Sequence, residues 1–280
     1  MAHAAWLDGV ALDATLAASR ALNYGDGVFR TLLCWQGKVL DFSRHVAVLQ
    51  RDCETLHLVC PPQRRLAQAV ATAVAGDAAT FVVKLTVIRR ESGRGYRGGT
   101  ASRLLVQRSP APAYPAAWWT RGIIVATSPV QLAEQPLLAG AKHLNRLEQV
   151  LASRNWPRGA GEVIICDRQG RPACGTRTNL FWVDSHGALH TPMLALCGVR
   201  GMMRDRVLDC AQRGGVPIAV ADAVWPALMQ SAEAFVTNSL IGIWPLRRLA
   251  ERRWAAPGPV TRKLAAALGH PRLVKGRDSD

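Results

Sequence analysis

The chain has 280 residues, a formal net charge of +15, an apolar fraction of 49% and a charged fraction of 20%. Those proportions describe a soluble globular protein of one large or two ordinary domains. No run approaches eighteen apolar residues, so no membrane span is expected.

The excess of cations is mostly arginine spread along the chain, with no basic arm and no reader motif, so nucleic acid is not an expected partner. A generally basic surface is the ordinary reading, and a field that attracts small polyanionic substrates is the second. The seven cysteines (Cys34, Cys53, Cys60, Cys166, Cys174, Cys197 and Cys210) are odd in number and form no CxxC pair. That pattern suggests neither a disulfide framework nor a metal site. The start, MAHAAWLDGVALD, lacks a basic stretch followed by an apolar one, and a cytoplasmic location is expected.

In chain order, Val28–Trp35 and Lys38–Phe42 read as a hairpin around Gln36-Gly37. Ser43 is the predicted N-cap of a helix to about Leu58, with Val46, Leu49, Cys53 and Leu56 inward. Pro61-Pro62 open a second helix that Gly76 ends. Thr80–Ile88 has the β-branched content of a buried strand. A glycine-rich basic loop, ESGRGYRGG, separates it from the strand Arg103–Gln107. The segment Ser109–Ala117, with three prolines, reads as a stiff connector. Short strands are predicted beyond it at Gly122–Thr127, Glu162–Cys166, Asn179–Asp184, Ala188–Thr191, Val216–Ala221 and Ala234–Thr237. Helices are predicted near Asn145–Asn155 and Arg200–Arg213.

The most informative stretch is GAKHLNRLEQVL, Gly140–Leu151. It places Lys142 just ahead of a helix whose Leu144, Leu147, Val150 and Leu151 would share an inward face. An ammonium at the edge of a core is costly unless it loses its proton or bonds covalently, as to an aldehyde cofactor. A solvated lysine flanking a helix is the ordinary alternative. Two segments have donors suited to a phosphate: the glycines of Cys197–Met203 ahead of a helix, and Thr237-Asn238-Ser239 at a strand end. No nucleophile elbow and no HExxH occurs, and His143 reads as a structural neighbour of Lys142.

These pieces together resemble the class-IV aminotransferase family, the fold-type IV pyridoxal-phosphate enzymes. The matching runs are NYGDGVFRT (23–31), GRGY (93–96), LAGAKHLNRLEQVLASR (138–154), GTRTNLFWV (175–183), GVRGMMR (198–204) and TNSLIGIWPL (237–246). The resemblance implies an α/β, two-domain fold. A small α/β domain would span 1–108, a linker 109–117, and a larger barrel-like mixed α/β domain 118–280. It also implies a homodimer and pyridoxal 5'-phosphate as cofactor. By the same resemblance Lys142 matches the Schiff-base lysine, and Cys174, Val199, Gly201, Asn238 and Ser239 match cofactor-side positions. Thr31, Arg89, Arg94 and Tyr96 fall on the substrate side. KHLNRLEQV points to the branch that converts 4-amino-4-deoxychorismate to 4-aminobenzoate and pyruvate. An amino-acid transaminase, or a relative that has lost cofactor chemistry, are the alternatives.

Two positions depart from the family pattern. The arginine of its HxxR motif, which grips the phosphate, is replaced by Val48 in HVAV. The glutamate that keeps the pyridine nitrogen protonated is replaced by Cys174. The first change implies a weakly held cofactor. The second implies a poorer electron sink, which handicaps transamination more than an aromatising elimination.

Overall fold

The computed structural model describes residues 6–7, 10–11, 18–90, 95–154 and 156–274. It divides into two compact units, Met1–Ala111 with Ala141–Asn145, and Pro112–Gly140 with Arg146–Asp280. The division is therefore not contiguous, and the five residues around Lys142 belong to the first unit.

The first unit begins with a short antiparallel pair, β1 (Trp6–Leu7) and β2 (Val10–Ala11). Helix α1 (Arg20–Tyr24) follows, capped by the Ser19 side chain. A four-stranded antiparallel sheet comes next, built from β3 (Gly27–Trp35), β4 (Lys38–Val39), β5 (Phe81–Arg89) and β6 (Ser102–Pro110) in the order β4-β3-β5-β6. The β3–β4 turn uses Gln36 and Gly37, both at positive φ, as a two-residue hairpin requires. Two helices between β4 and β5, α2 (Phe42–Thr55) and α3 (Gln63–Val74), pack on the sheet. Val28, Leu32, Val83 and Leu85 meet Val46, Leu49, Leu66 and Val70 in one core.

Helix α2 starts earlier than its sequence suggests. Its N-cap is Asp41, in the left-handed region, and the His45 amide bonds the Asp41 carbonyl at 3.0 Å. Ser43 therefore lies inside the first turn. Strand β6 also runs through Pro110, taking two residues of the predicted connector.

In the second unit, α4 (Ala117–Thr120) precedes β7 (Ile123–Gln131), α5 (Leu147–Arg154), β8 (Ala160–Cys166), β9 (Pro172–Gly175), β10 (Asn179–Val183) and β11 (Leu189–Pro192). Then come α6 (Met202–Arg213), β12 (Ile218–Ala221), α7 (Trp225–Gln230), β13 (Glu233–Asn238), β14 (Gly242–Leu249), β15 (Arg252–Arg253), α8 (Pro259–Leu268) and α9 (Pro271–Val274). The strand order β10-β13-β14-β7-β8-β9 closes on itself because β9 pairs β10 at Asn179 and Cys174. Six strands thus form a barrel, with β11 and β12 extending from β10. Ile123, Ile164, Leu180, Val236 and Trp244 share an apolar cluster. Phe181 and Phe235 stack with centroids 5.1 Å apart, on neighbouring strands.

The apolar stripe of α5 is not inward. Leu147, Val150 and Leu151 are 75%, 56% and 47% exposed, and Ala152 is the buried residue of the helix. The helical spacing was legible, but an apolar face can equally await a partner.

Candidate active site

Lys142 sits at the edge of β3. The Phe29 amide donates to the Lys142 carbonyl at 2.9 Å and the Leu144 amide to the Gly27 carbonyl at 2.9 Å. Between them Val28 and His143 form an isolated antiparallel bridge. This short added strand explains why 141–145 belongs to the first unit. The Lys142 Nζ lies 4.7 Å from the centroid of the Phe29 ring. A second ammonium, that of Lys84 on β5, lies 4.6 Å from the same centroid. Thr31 is the cross-strand partner of Lys84 and alternates with Phe29 on the same face of β3. Lys142, Phe29, Thr31 and Lys84 are thus gathered on one side of the sheet.

Arg89 is placed elsewhere and is heavily engaged. Its Nε donates to Asp26 at 2.8 Å, and its other nitrogens donate to the carbonyls of Leu56, His57 and Gly99. Arg20 shares the same Asp26 oxygen at 2.8 Å and also donates to the carbonyls of Gly95 and Tyr96 at 2.7 and 2.9 Å. The two arginines therefore clamp the loop that carries Tyr96, whose ring is exposed and 5.4 Å from Tyr24. Arg94 lies outside the described residues.

On α2, Val48 is buried, as are His45 and Asp52 on the same helix face. Arg44 and Arg51 are exposed. The cation that does enter this region comes from β3: the buried Arg30 donates to the Asp52 carboxylate. Burial, reinforced by Arg30, pushes the His45 imidazole down to about 3.

In the second unit, one residue organises the predicted cofactor positions. Asn179 pairs with Cys174 across β9–β10 and with Thr237 across β10–β13. Its Nδ2 donates to the Val199 carbonyl at 2.7 Å, and its Oδ1 accepts from the Gly201 amide at 3.1 Å. Gly201 is the N-cap of α6 and offers no side chain to the first-turn amides. That end of the helix is suited to an anion. A Cβ at Gly201 would come within 2.4 Å of Asn179 Oδ1, so a side chain there would displace the Asn179 amide. The turn is also tied to Gly140, through bonds of 3.0 Å to the Gly198 carbonyl and 2.9 Å from the Arg200 amide.

The Asn238 side chain folds the turn after β13. Its Oδ1 accepts from the amides of Leu240 and Ile241, and its Nδ2 donates to the Arg177 carbonyl. Ser239 follows in the same turn, its carbonyl 3.2 Å from His270 Nε2. The turn between β9 and β10 is built around the fully buried Glu162. Its carboxylate accepts from the amides of Val163 and Thr176 and from the hydroxyls of Thr176 and Thr178 at 2.7–3.1 Å. Cys174, one residue before this turn, is buried beside Ile165, Leu194 and Cys197.

Cys174, Val199, Gly201 and Asn238 are thus gathered around Asn179. Sequence reading did not single out Asn179, Lys84 or Glu162. The run TRTNLFW contains Asn179, yet nothing local signals its bonds to a turn twenty residues away.

The model of the amino-transferase class IV family matches residues 27–249. The chain belongs to that family. A curated relative, aminodeoxychorismate lyase of Vibrio harveyi, is 31% identical over 269 residues, covering 94% of this chain and 98% of the relative. A crystal structure of 4-amino-4-deoxychorismate lyase from Pseudomonas aeruginosa is 39% identical and has a TM-score of 0.86, covering 94% of this chain and 97% of that one. A PLP-bound hypothetical aminotransferase from Mycobacterium tuberculosis, 24% identical, shares the fold at a TM-score of 0.76, covering 94% of this chain and 97% of that one. The class-IV fold expected from the sequence motifs is the fold observed.

Proposed function

We propose that the protein is a pyridoxal-phosphate-dependent lyase that converts 4-amino-4-deoxychorismate to 4-aminobenzoate and pyruvate. The observation that carries this reading is the pair of ammonium groups on Phe29, in a chain whose lyase relatives match it over nearly its full length. One lysine suits an aldehyde and the other suits a substrate carboxylate.

The residues present fit the cofactor. The uncapped first turn of α6, behind Gly201, offers amides and a dipole to a phosphate. Val199, Asn238 and Ser239 would complete that cradle, and Lys142 would hold the aldehyde carbon. Cys174 would face the pyridine nitrogen, where its thiol donates and accepts only weakly. When bound, pyridoxal phosphate supplies an aldehyde for an amine and a ring that accepts electrons. The Nζ of Lys142 would take the proton from the substrate ring carbon that bears the amine, and return it to the departing enolpyruvyl group. Lys84 and Thr31 would orient the substrate's carboxylate. The Tyr96 loop, held by Arg20 and Arg89, would exclude water. Loss of pyruvate leaves an aromatic ring, which drives the elimination and reduces the demand on the electron sink.

The partner we propose is a second copy of the chain. The exposed stripe Leu147, Val150 and Leu151, with Leu137 at 81% exposure, has the spacing and composition of a face covered by protein. The reading also places the chain in the cytoplasm, in keeping with seven free cysteines. Among the described residues no helix is long and apolar enough to cross a membrane.

The deciding experiment supplies 4-amino-4-deoxychorismate to the cofactor-loaded protein and follows 4-aminobenzoate and pyruvate separately. Equal release of both is expected. Absence of both products, with cofactor bound, would remove the lyase assignment. Light scattering reports the oligomer, and a monomer at micromolar concentration would remove the dimer.

A further inference from the structure

The turn 238–242, between β13 and β14, is held by side chains from three parts of the second unit. From within, Asn238 Oδ1 accepts from the amides of Leu240 and Ile241 at 2.8 and 3.1 Å, and the Thr237 hydroxyl donates to the Gly242 carbonyl at 2.5 Å. Trp119, on α4, donates its indole N–H to the Ile241 carbonyl at 2.8 Å. His270, between α8 and α9, donates from Nε2 to the Ser239 carbonyl at 3.2 Å.

His270 is 1% exposed, and its Nδ1 is buried with no hydrogen-bond partner among the described residues. A buried nitrogen left unpaired costs stability, so an apolar side chain of the same size would suit the packing better. What the imidazole adds is the bond from Nε2. A carbonyl only accepts, so the proton sits on that nitrogen. Burial pushes the ring down to about 4, which keeps it neutral near pH 7. The Ser239–Leu240 peptide is therefore pinned at both ends, its carbonyl by His270 and its N–H by Asn238. The segment that carries His270 is itself well seated. Gly269, at a φ of +56°, turns the chain at the end of α8, and an added Cβ at Gly242 would come within 3.0 Å of the His270 ring and 3.1 Å of Leu273. Arg272 donates to the Pro112 carbonyl at 2.9 Å and lies 5.7 Å from the centroid of the Trp119 ring.

We propose that His270 is a positioning residue that holds the Ser239–Leu240 peptide in one orientation and thereby fixes the turn 238–242 as a seat for the cofactor's phosphate. The part concerning phosphate rests on the reading of Asn238 and Ser239 as cofactor-side residues; the pin on the peptide does not. A turn already ordered when the phosphate arrives loses no affinity to ordering, whereas a loose one does. His270 supplies that order from behind, without touching the cofactor.

The test uses the full chain with two variants. His270→Leu removes the donor and keeps the bulk, and His270→Gln carries an amide nitrogen that can take the place of Nε2. Thermal unfolding and amide exchange in β8 control for folding. In the cofactor-free protein the Leu240 amide should exchange about three- to tenfold faster in His270→Leu, the change expected for one hydrogen bond, and near the wild-type rate in His270→Gln. Titration with pyridoxal 5'-phosphate, followed by absorbance, should show affinity lowered by a similar factor in His270→Leu and recovered in His270→Gln. Inorganic phosphate should also compete with the cofactor less well in His270→Leu, by about the same factor. Unchanged Leu240 exchange in His270→Leu, or faster exchange that glutamine does not restore, would overturn the pin. Faster exchange with unaltered affinities for cofactor and phosphate would overturn its effect on the phosphate. If His270→Leu does not fold, His270→Asn, whose amide is too short to reach Ser239, decides between the same outcomes. Failure of the wild-type chain to take up cofactor would count against the proposed function, and the exchange comparison would still decide the pin.

Discussion

Lys142 and Lys84 approach one ring: their ammonium nitrogens lie 4.7 and 4.6 Å from the centroid of Phe29. The electron-rich ring attracts each of the two cations. Two cations at one ring favour an occupant that brings negative charge.

The two lysines should separate cleanly on mutation. Lys142→Ala is expected to abolish turnover and the borohydride-trapped cofactor adduct while leaving thermal unfolding near that of the wild type. Lys84→Met should retain the adduct and lose roughly ten- to a hundredfold in kcat/KM through the substrate's carboxylate. Steady-state kinetics beside the trapping assay distinguish them. A trapped adduct in Lys142→Ala, or an unaltered kcat/KM in Lys84→Met, would refute the respective role.

Cys174→Glu places a carboxylate at the position the family uses for the pyridine nitrogen. The folded, cofactor-loaded variant should show altered absorbance and acquire side transamination of simple amino acids. Amine transfer to a keto acid is the measurement. Spectra and reaction partition identical to the wild type would exclude an electronic role for the thiol.

Restoring the helix arginine should not rescue cofactor affinity by itself. Val48 is buried on the face that already holds His45 and Asp52, with Arg30 beside it. Val48→Arg would add a second cation to that space, and we expect a loss on the order of 3 kcal/mol in unfolding free energy. Urea titration measures it. A variant as stable as the wild type that binds pyridoxal phosphate more tightly would show that the side chain escapes the core.

Acid should weaken the fold through its buried histidines. The folded-state imidazole of His45 is pushed down to about 3 and that of His270 to about 4, both chiefly by burial. A depressed histidine contributes fully above its unfolded value of about 6.5, and the contribution is lost as pH falls towards the folded value. Each histidine should cost about 1.4 kcal/mol per pH unit across that window. Asp52, raised by burial, acts in the opposite sense at lower pH. His45→Gln should therefore remove roughly 2 kcal/mol of the loss between pH 6.5 and 5.0. Denaturation curves at the two pH values would contradict this if the variant and the wild type lost stability equally.

Much of the architecture was legible because local chemistry forces it. Gln36-Gly37 must turn, Pro62 must precede a helix, and β-branched residues from Phe81 onward favour a strand. Lys142 and Gly201 stood out because their surroundings are unusual for an ammonium and for a helix start. The relations that organise the site were not legible. Asn179 reaches Val199 and Gly201 through side-chain bonds that no periodicity encodes. The stripe on α5 shows a different limit: spacing reveals that Leu147, Val150 and Leu151 share a face, but not what covers it.

The contact between Asn179 and Gly201 also constrains how this chain can change over generations. A side chain at 201 would collide with the amide, and a shorter residue at 179 would release Val199 and Gly201 together. Neither position can drift while the other stays fixed. Substitutions that are tolerated should therefore arrive in pairs, and functional variants selected from a library randomised at both positions should show that pairing.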